Sequence, residues 1–277
     1  MAITNFIPTI WSENLYRALD KQYIAVSNCN RDYEGEIKNC GSVVKICGVG
    51  EVLIGEYTKN TDMSNPQSLS DTVRELSIDQ AKYFNFQIDD IDRAQSTPKL
   101  MDAAMSVAAS GLANDADRFV YNLYTDAAST VKQDNATAEN IIDAIIEARE
   151  KLYEGNVSDS SGIVIEVSPA VASLILKAKI ALSTDNADSL ETGCLGSIGG
   201  CKVFVSNNIV VSKDTDVTYH KCLVRTRRAI AFAEQLSEID AYRPEKRFAD
   251  AVKGLHLYGA KVVYPTEMVL LDLGIAA

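Results

Sequence analysis

The stretch STPKLMDAAMSVAASGLANDADRFVYNLYTDA (residues 96–127) carries the longest helical pattern in the chain. Ser96 and Thr97 supply a capping side chain, and Pro98 sits in the first turn, where its missing N–H is not needed. Met101, Met105, Ala108, Leu112, Ala116, Phe119 and Leu123 recur every three to four residues and form one apolar stripe. A helix expected over residues 98–127 is about 45 Å long at 1.5 Å per residue, well beyond the average of about 11 or 12 residues. Its first half is rich in Ala, Ser and Gly, which allows neighbouring backbone to come close. The stripe reads as core packing and not as a cofactor box.

Upstream of this helix the period changes to that of strands. KYFNFQIDD (residues 82–90) alternates with Phe84, Phe86 and Ile88 on one face, and Val73 to Ile78 is a further extended run. Val43 to Cys47 and Val52 to Tyr57 are strand-like as well, broken by Gly48 and Gly50. Between them TKNTDMSNPQSLSD (residues 58–71) is polar, with Asn65-Pro66 as a turn signal, so the region reads as a long hairpin with a hydrophilic tip. Ahead of it, Phe6-Ile7-Pro8 is extended and Trp11, Leu15, Ala18, Leu19 and Tyr23 have helical spacing, as an arm with a short amphipathic helix would.

Downstream, residues 138–153 predict a second helix with Ile141, Ile145, Ala148 and Leu152 buried, Glu147 four residues before Lys151, and Gly155 at its end. Ile163 to Val167 is a strand, and Ser168-Pro169 opens a third helix reaching about residue 182. STDNADSLETGCLGSIGG (residues 183–200) reads as a long polar loop. Extended segments are then expected at 202–206, 221–225, 229–233, 237–243, 252–263 and 268–273. Long antiparallel hairpins around a separate long helix make the fold class α+β.

Composition excludes several functions. A formal net charge of -11 and a pI near 4.7 leave no basic footprint for a dedicated nucleic-acid binder. The first residues lack a cationic and apolar leader, and no apolar run is long enough to span a membrane. Cys29, Cys40, Cys47, Cys194, Cys201 and Cys222 show no CxxC spacing and read as reduced small hydrophobes. There is no phosphate-binding loop, no nucleophile elbow and no HExxH, and Gly48-Val49-Gly50 lacks the third glycine of a dinucleotide fingerprint. His220 and His256 sit on strands and are expected to be structural. Asp89-Asp90-Ile91-Asp92 could attract a divalent cation but reads first as a strand end paired with Arg93 or a neighbour. Arg225, Arg227, Arg228, Arg243, Lys246 and Arg247 make the last third locally basic and are expected to meet acidic surfaces of adjacent subunits. No catalytic, cofactor-binding or metal-binding residue is assigned, and no cofactor is expected.

Six stretches in this order resemble the major capsid proteins of tailed bacteriophages with the HK97-type fold. They are FIPTIWSENLYRAL (residues 6–19), NRDYEGEIKNCGSVVKI (30–46), YTKNTD (57–62), LSIDQAKYFNFQIDDIDRAQS (76–96), GSIGGCKVFVSNNI (196–209) and YRPEKRFADAVKGLHLYGAKVVYP (242–265). The resemblance implies an N-terminal arm over 1–30, an extended hairpin loop over 31–78 and a peripheral domain beginning at 79–160, with residues 98–127 as its spine helix. It further implies an axial domain over 161–236, whose tip loop is at 185–199, and return strands of the peripheral domain over 237–277.

The function implied is that of an icosahedral head shell around double-stranded DNA; the alternative of similar fold is an encapsulin-type compartment. The implied partners are copies of the chain in hexamers and pentamers, a portal protein at one vertex, and packaged DNA bound without sequence specificity. No membrane is implied; assembly is expected in the host bacterial cytoplasm and the final location in the virion. Since the sequence shows no charged extension ahead of Phe6, a separate scaffolding protein is expected. Intersubunit contacts are expected from Phe6, Ile7 and Trp11 in the arm, Tyr57, Lys59 and Asp62 near the hairpin tip, and Arg243 and Arg247. A lysine-to-asparagine crosslink of the founding relative is not carried over, because Lys59 has no identifiable partner.

Overall fold

The computed structural model describes residues 22–33, 43–49, 71–89, 100–157, 162–178, 194–214, 217–246 and 248–276, together with Ile54, Glu56, Lys59 and Asp62. The expected arm helix and hairpin tip lie mostly outside the described residues, as do Phe6, Ile7, Trp11, Tyr57 and Arg247.

Three long strands form the first sheet. β10 (Ile230–Tyr242) and β11 (Ala249–Val262) pair antiparallel, with a register shift between Leu236 and Glu238, and β3 (Gln80–Asp89) pairs antiparallel with the other side of β11. The alternation read in residues 82–90 is observed directly: exposure alternates along all of β3. One face carries Phe84, Phe86, Phe232, Val252 and Tyr258 and packs on α1 (Leu100–Tyr121) through Ala109, Leu112, Ala113 and Ala116. The buried stripe of α1 runs through Ala109 and Ala113, with Ala108 only half-buried. After Tyr121 the chain tightens into a 3-10 turn over Asn122–Asp126, so the α-helix is shorter than the periodicity predicts.

The opposite face, at Ala231, Ala233 and Leu257, is covered by Val44, Ile46, Leu76 and Ile78. These belong to the base of a hairpin in which β1 (Val43–Val49) pairs antiparallel with β2 (Asp71–Ser77), Val43 opposite Ser77. The hairpin predicted from the strand periods therefore has its expected root, lying across the first sheet.

The second sheet has seven strands among the described residues. Its order is β4 (Ser129–Gln133), β12 (Met268–Ala276), β9 (Val217–Thr226), β5 (Ile163–Val167), β7 (Cys201–Val205) and β6 (Cys194–Ile198). β8 (Val211–Asp214) pairs with the first half of β9 on the edge that β5 uses in the second half. α2 (Ile141–Glu154) and α3 (Pro169–Lys177) cover one face with Ile141, Ile145, Ala148, Leu152, Val171 and Ile175. Alternation along β9 and β12 lets them serve both cores: Cys222, Val224 and Leu271 face these helices, whereas Leu223, Met268 and Leu270 join the α1 core.

Local signals explain the ends of these helices. The Ser168 side chain accepts the Val171 N–H at 3.4 Å with Pro169 at the first helical position, as the sequence predicts. At the end of α2, Gly155 has an ordinary φ of -76° and the left-handed residue is Asn156, at φ 58°. Residues 194–198, read as part of a loop, form β6; the glycines at 199 and 200, both at positive φ, make the tight turn into β7. β4 and β8 have no counterpart in the expected elements. α2, expected in the same domain as the spine helix, and β12, expected among the return strands, share a core with β4, β5, β7 and β9. No described helix is long and apolar enough to cross a membrane.

Candidate functional site

Where the two sheets and α1 meet, a strap of chain over residues 22–33 is held by buried charged side chains together with the apolar packing of Tyr23, Ala25, Val26 and Cys29. Its first anchor is built on β5 and β9. Glu166 and Arg225 are both fully buried and form a two-pronged pair, Nε to Oε2 at 3.0 Å and Nη2 to Oε1 at 2.9 Å. The remaining donors of Arg225 reach the strap: Nη1 donates to the Asn28 carbonyl at 2.7 Å and Nη2 to the Ala25 carbonyl at 3.0 Å. Asn28 returns the contact, its side-chain amide donating to Glu166 at 3.2 Å. Burial alone would lower the pKa of the guanidinium, but Glu166 outweighs it and holds Arg225 more firmly charged than usual.

α1 supplies the second anchor. Asp117 is buried and accepts two strap N–H groups, Ile24 at 3.0 Å and Val26 at 3.1 Å. Burial pushes its carboxyl up to about 7, against the lowering effect of those same backbone donors.

The third anchor is Glu234 on β10. It accepts hydrogen bonds from the Tyr23 hydroxyl and from Arg31 at 2.6 Å, and it lies 2.9 Å from His256 Nε2 on β11. Burial disfavours its charge, yet His256, Tyr23 and Arg31 together hold its carboxyl below the usual range. Between these anchors Asn30 makes a parallel bridge beside Ala231, its N–H donating to the Ile230 carbonyl at 2.9 Å and its carbonyl accepting from Phe232 N–H at 2.9 Å.

Of the site residues expected from sequence, the three among the described residues, Lys59, Asp62 and Arg243, are not part of these anchors. Lys59 and Asp62 are exposed, and Arg243 is exposed and 3.3 Å from Asp250 of the facing strand. Arg225, expected to face an adjacent subunit, instead lies in the core because β9 is flanked on both sides by strands. Arg228 likewise pairs with Glu267 of its own chain, a residue that also binds the Thr226 hydroxyl. Sequence reading passed over Glu166, Asp117 and Glu234. The available signal for Glu166 was a lone acid in an otherwise apolar strand, IVIEV, because a charge there demands a buried partner.

The chemistry available is that of holding chain in place. Burial raises the Cys29 thiol to about 11 and the Cys222 thiol to about 12, so neither is a ready nucleophile. Cys29, Cys201 and Cys222 are free thiols, in line with their reading as small hydrophobes. Among the described residues no three His, Cys, Asp or Glu side chains are grouped to hold a metal. His220 is buried on β9, which lowers its pKa. A shallow cavity of about 260 Å³ lies on the outer face of the first sheet, where Lys253 pairs with Asp240 at 3.3 Å above Gly254.

Residues 72–271 match the family described as phage capsid protein. Among solved structures, the chain is similar to one from Mycobacterium phage Che8, with 29% identity, 98% of each chain covered and a TM-score of 0.69. The capsid of Ralstonia phage GP4 is similar at 14% identity, covering 94% of this chain and 90% of that one, with a TM-score of 0.69. A virus-like particle from Pyrococcus furiosus shares the fold at 12% identity, 94% and 96% coverage and a TM-score of 0.55. No curated protein sequence matches.

Proposed function

The chain belongs to the phage capsid protein family, and from that premise we propose how its parts build a shell. It is a major capsid protein, a structural subunit that assembles with copies of itself into an icosahedral phage head. What supports this most directly is the similarity to the Mycobacterium phage Che8 structure along 98% of both chains, at 29% identity. A compartment shell of encapsulin type is not favoured. The family match is to phage capsid proteins, and the archaeal virus-like particle shares only the fold at 12% identity.

In this reading the subunit forms hexamers and pentamers, is guided by a separate scaffolding protein, accommodates a portal at one vertex and encloses DNA without reading its sequence. Assembly takes place in the host cytoplasm and the chain performs no catalysis. The sheet of β10, β11 and β3 with α1 is the peripheral lobe, the seven-stranded sheet is the axial lobe, and residues 1–30 and 31–78 are the arm and hairpin that reach neighbours. Phe6, Ile7, Trp11, Tyr57, Lys59, Asp62, Arg243 and Arg247 are the candidate contacts. Support for the hairpin's role comes from its composition: residues 58–71 hold too few apolar side chains to order themselves, so a neighbour must do it.

Deleting residues 59–68 tests this. The variant is expected to unfold in urea at the same midpoint as the full chain while giving no closed shells by negative-stain microscopy. Normal shells from the deleted chain, or loss of its fold, would overturn the assignment of the hairpin.

A further inference from the structure

We propose that the strap over residues 22–33 is a detachable latch, which opens as one unit while both cores stay folded, and that Glu234 is the hub closing it. The assembly meaning of the latch rests on the shell reading; its existence as a separate unit does not.

The geometry points to this in three ways. First, the two ends of the strap meet on a single carboxylate. Tyr23 near its start and Arg31 near its end both donate to Glu234. A single event at Glu234 therefore loosens both ends at once, while Asp117 and Arg225 hold the backbone between them. The segment expected to be the arm leaves from one end, and the segment leading to the hairpin from the other. Tyr33, just beyond Arg31, already packs partly buried on the cluster under the hairpin root.

Second, the strap joins the cores through a few side chains only, Tyr23, Ala25, Val26 and Cys29 in the α1 core and Ile24 on Val164 and Phe204. Its only backbone bridge among the described residues is at Asn30, on the edge of β10 that β11 does not use. Its buried apolar side chains are Tyr23, Ala25, Val26 and Cys29, mostly small. The strands and helices beneath keep their own pairings without it: β5 with β7 and β9, β10 with β11, and α1 on the first sheet.

Third, the forces holding it are charged and buried, which makes opening less costly than the contact list suggests. Removing charges from water costs nearly as much as their pairing returns. When the strap lifts, water reaches Asp117, Glu166, Arg225, Glu234 and His256, and their recovered hydration offsets the lost hydrogen bonds. An apolar strap of the same area would gain nothing by leaving. Among the described residues, the titratable and charged groups facing the hub are Arg31 and Tyr23 on the strap, His256 on β11 and, across Tyr23, Asp117 on α1.

Hydrogen exchange on the full-length, unassembled subunit tests the proposal. The amides of Ile24, Val26, Asn30 and Phe232 are expected to exchange at one common rate, at least tenfold faster than those of Cys222 and Leu271 in the β9–β12 pair. Arg31→Met should speed Ile24 and Val26, which Arg31 does not touch, along with Asn30, and leave Cys222 and Leu271 unchanged. Three results would overturn the latch: strap amides exchanging at the rate of the sheet, acceleration confined to Asn30, or equal acceleration of strap and sheet. The readout needs no shell, so its failure leaves the capsid assignment untouched.

Discussion

Asp117 accepts two backbone N–H groups yet is raised to about 7, because burial outweighs those bonds. With the folded pKa above the ordinary aspartate value of 3.8, the native state holds this proton more tightly than the unfolded chain does. The contribution of Asp117 is therefore fully present below the unfolded pKa and is lost as pH rises through about 7. Asp117→Asn is expected to flatten the fall in urea midpoint between about pH 4 and pH 7 relative to the parent chain; an unchanged pH profile would show that the carboxyl titrates normally. Arg225 makes a different claim. Replacing it by Met leaves Glu166 buried and unpaired, and about 3–5 kcal/mol of stability should be lost in urea titrations. Adding Glu166→Leu should recover the part due to the stranded carboxylate. It should not recover all of it, because the Asn28 carbonyl also loses the Arg225 donor, at about 1–3 kcal/mol, whereas the Ala25 carbonyl keeps the Asn28 N–H. Full recovery in the double variant would mean that Arg225 matters only to Glu166.

Among the elements, the hairpin root lies so close to β11 that one position tolerates no side chain. A Cβ at Gly259 would come within 2.2 Å of the Ser77 carbonyl oxygen and 3.1 Å of Ile78 Cα, both backbone. Gly259→Ala should therefore lift the β1–β2 root off the sheet at a cost of about 1–3 kcal/mol. Gly111 is the contrasting case: it is exposed on α1 and nothing lies within 4 Å of an added Cβ. Gly111→Ala should raise the midpoint of the isolated subunit by about 0.5–1 kcal/mol, since it removes only the entropic cost of a helix glycine. Thermal unfolding of the two variants should shift in opposite directions. Elements such as these were readable to the extent that burial imposed a period. β3 alternates because one face meets α1, β5 is an unbroken apolar run apart from Glu166, and the α2 stripe faces one sheet. Strands whose order comes from distant partners left no such trace. β4, STVKQ, is placed by parallel pairing to β12 more than 100 residues later, and β8 is exposed at all four positions. β6 was hidden by glycines that suit its turn with β7. The strap was the least legible of all, since the partners that fix it lie 91 to 211 residues away and no local pattern encodes them.

At the scale of the molecule, three of the six basic residues noted in the last third pair within the subunit: Arg225 with Glu166, Arg228 with Glu267 and Arg243 with Asp250. A net charge of -11 makes copies of the subunit repel one another at long range and supplies no overall attraction to DNA. Its shell contacts must then be many and individually modest, summed by symmetry. The same subunit has to occupy fivefold and sixfold surroundings, which differ by small angles and hence by small free energies. Neither core bends to accommodate that difference, because close-packed sheets and helices resist continuous deformation. The adjustment falls on the arm and the hairpin, whose roots at residues 22–33 and at β1–β2 are not strands of the two main sheets, the Asn30 bridge to β10 being the strap's link to their backbone pairing among the described residues. Alternatives so close in energy are separated by a partner that supplies a few kcal/mol of preference for one curvature, on the order of what a tenfold to thousandfold change in population requires. A transient scaffolding protein is such a partner. Expressed by itself, the chain is therefore expected to give monomers, capsomers or closed particles of mixed diameter in negative-stain images. Co-expression with its scaffold should narrow the diameters to one class. Uniform shells of the phage's own head size from this chain alone would refute the dependence, and would place the choice of curvature inside the subunit.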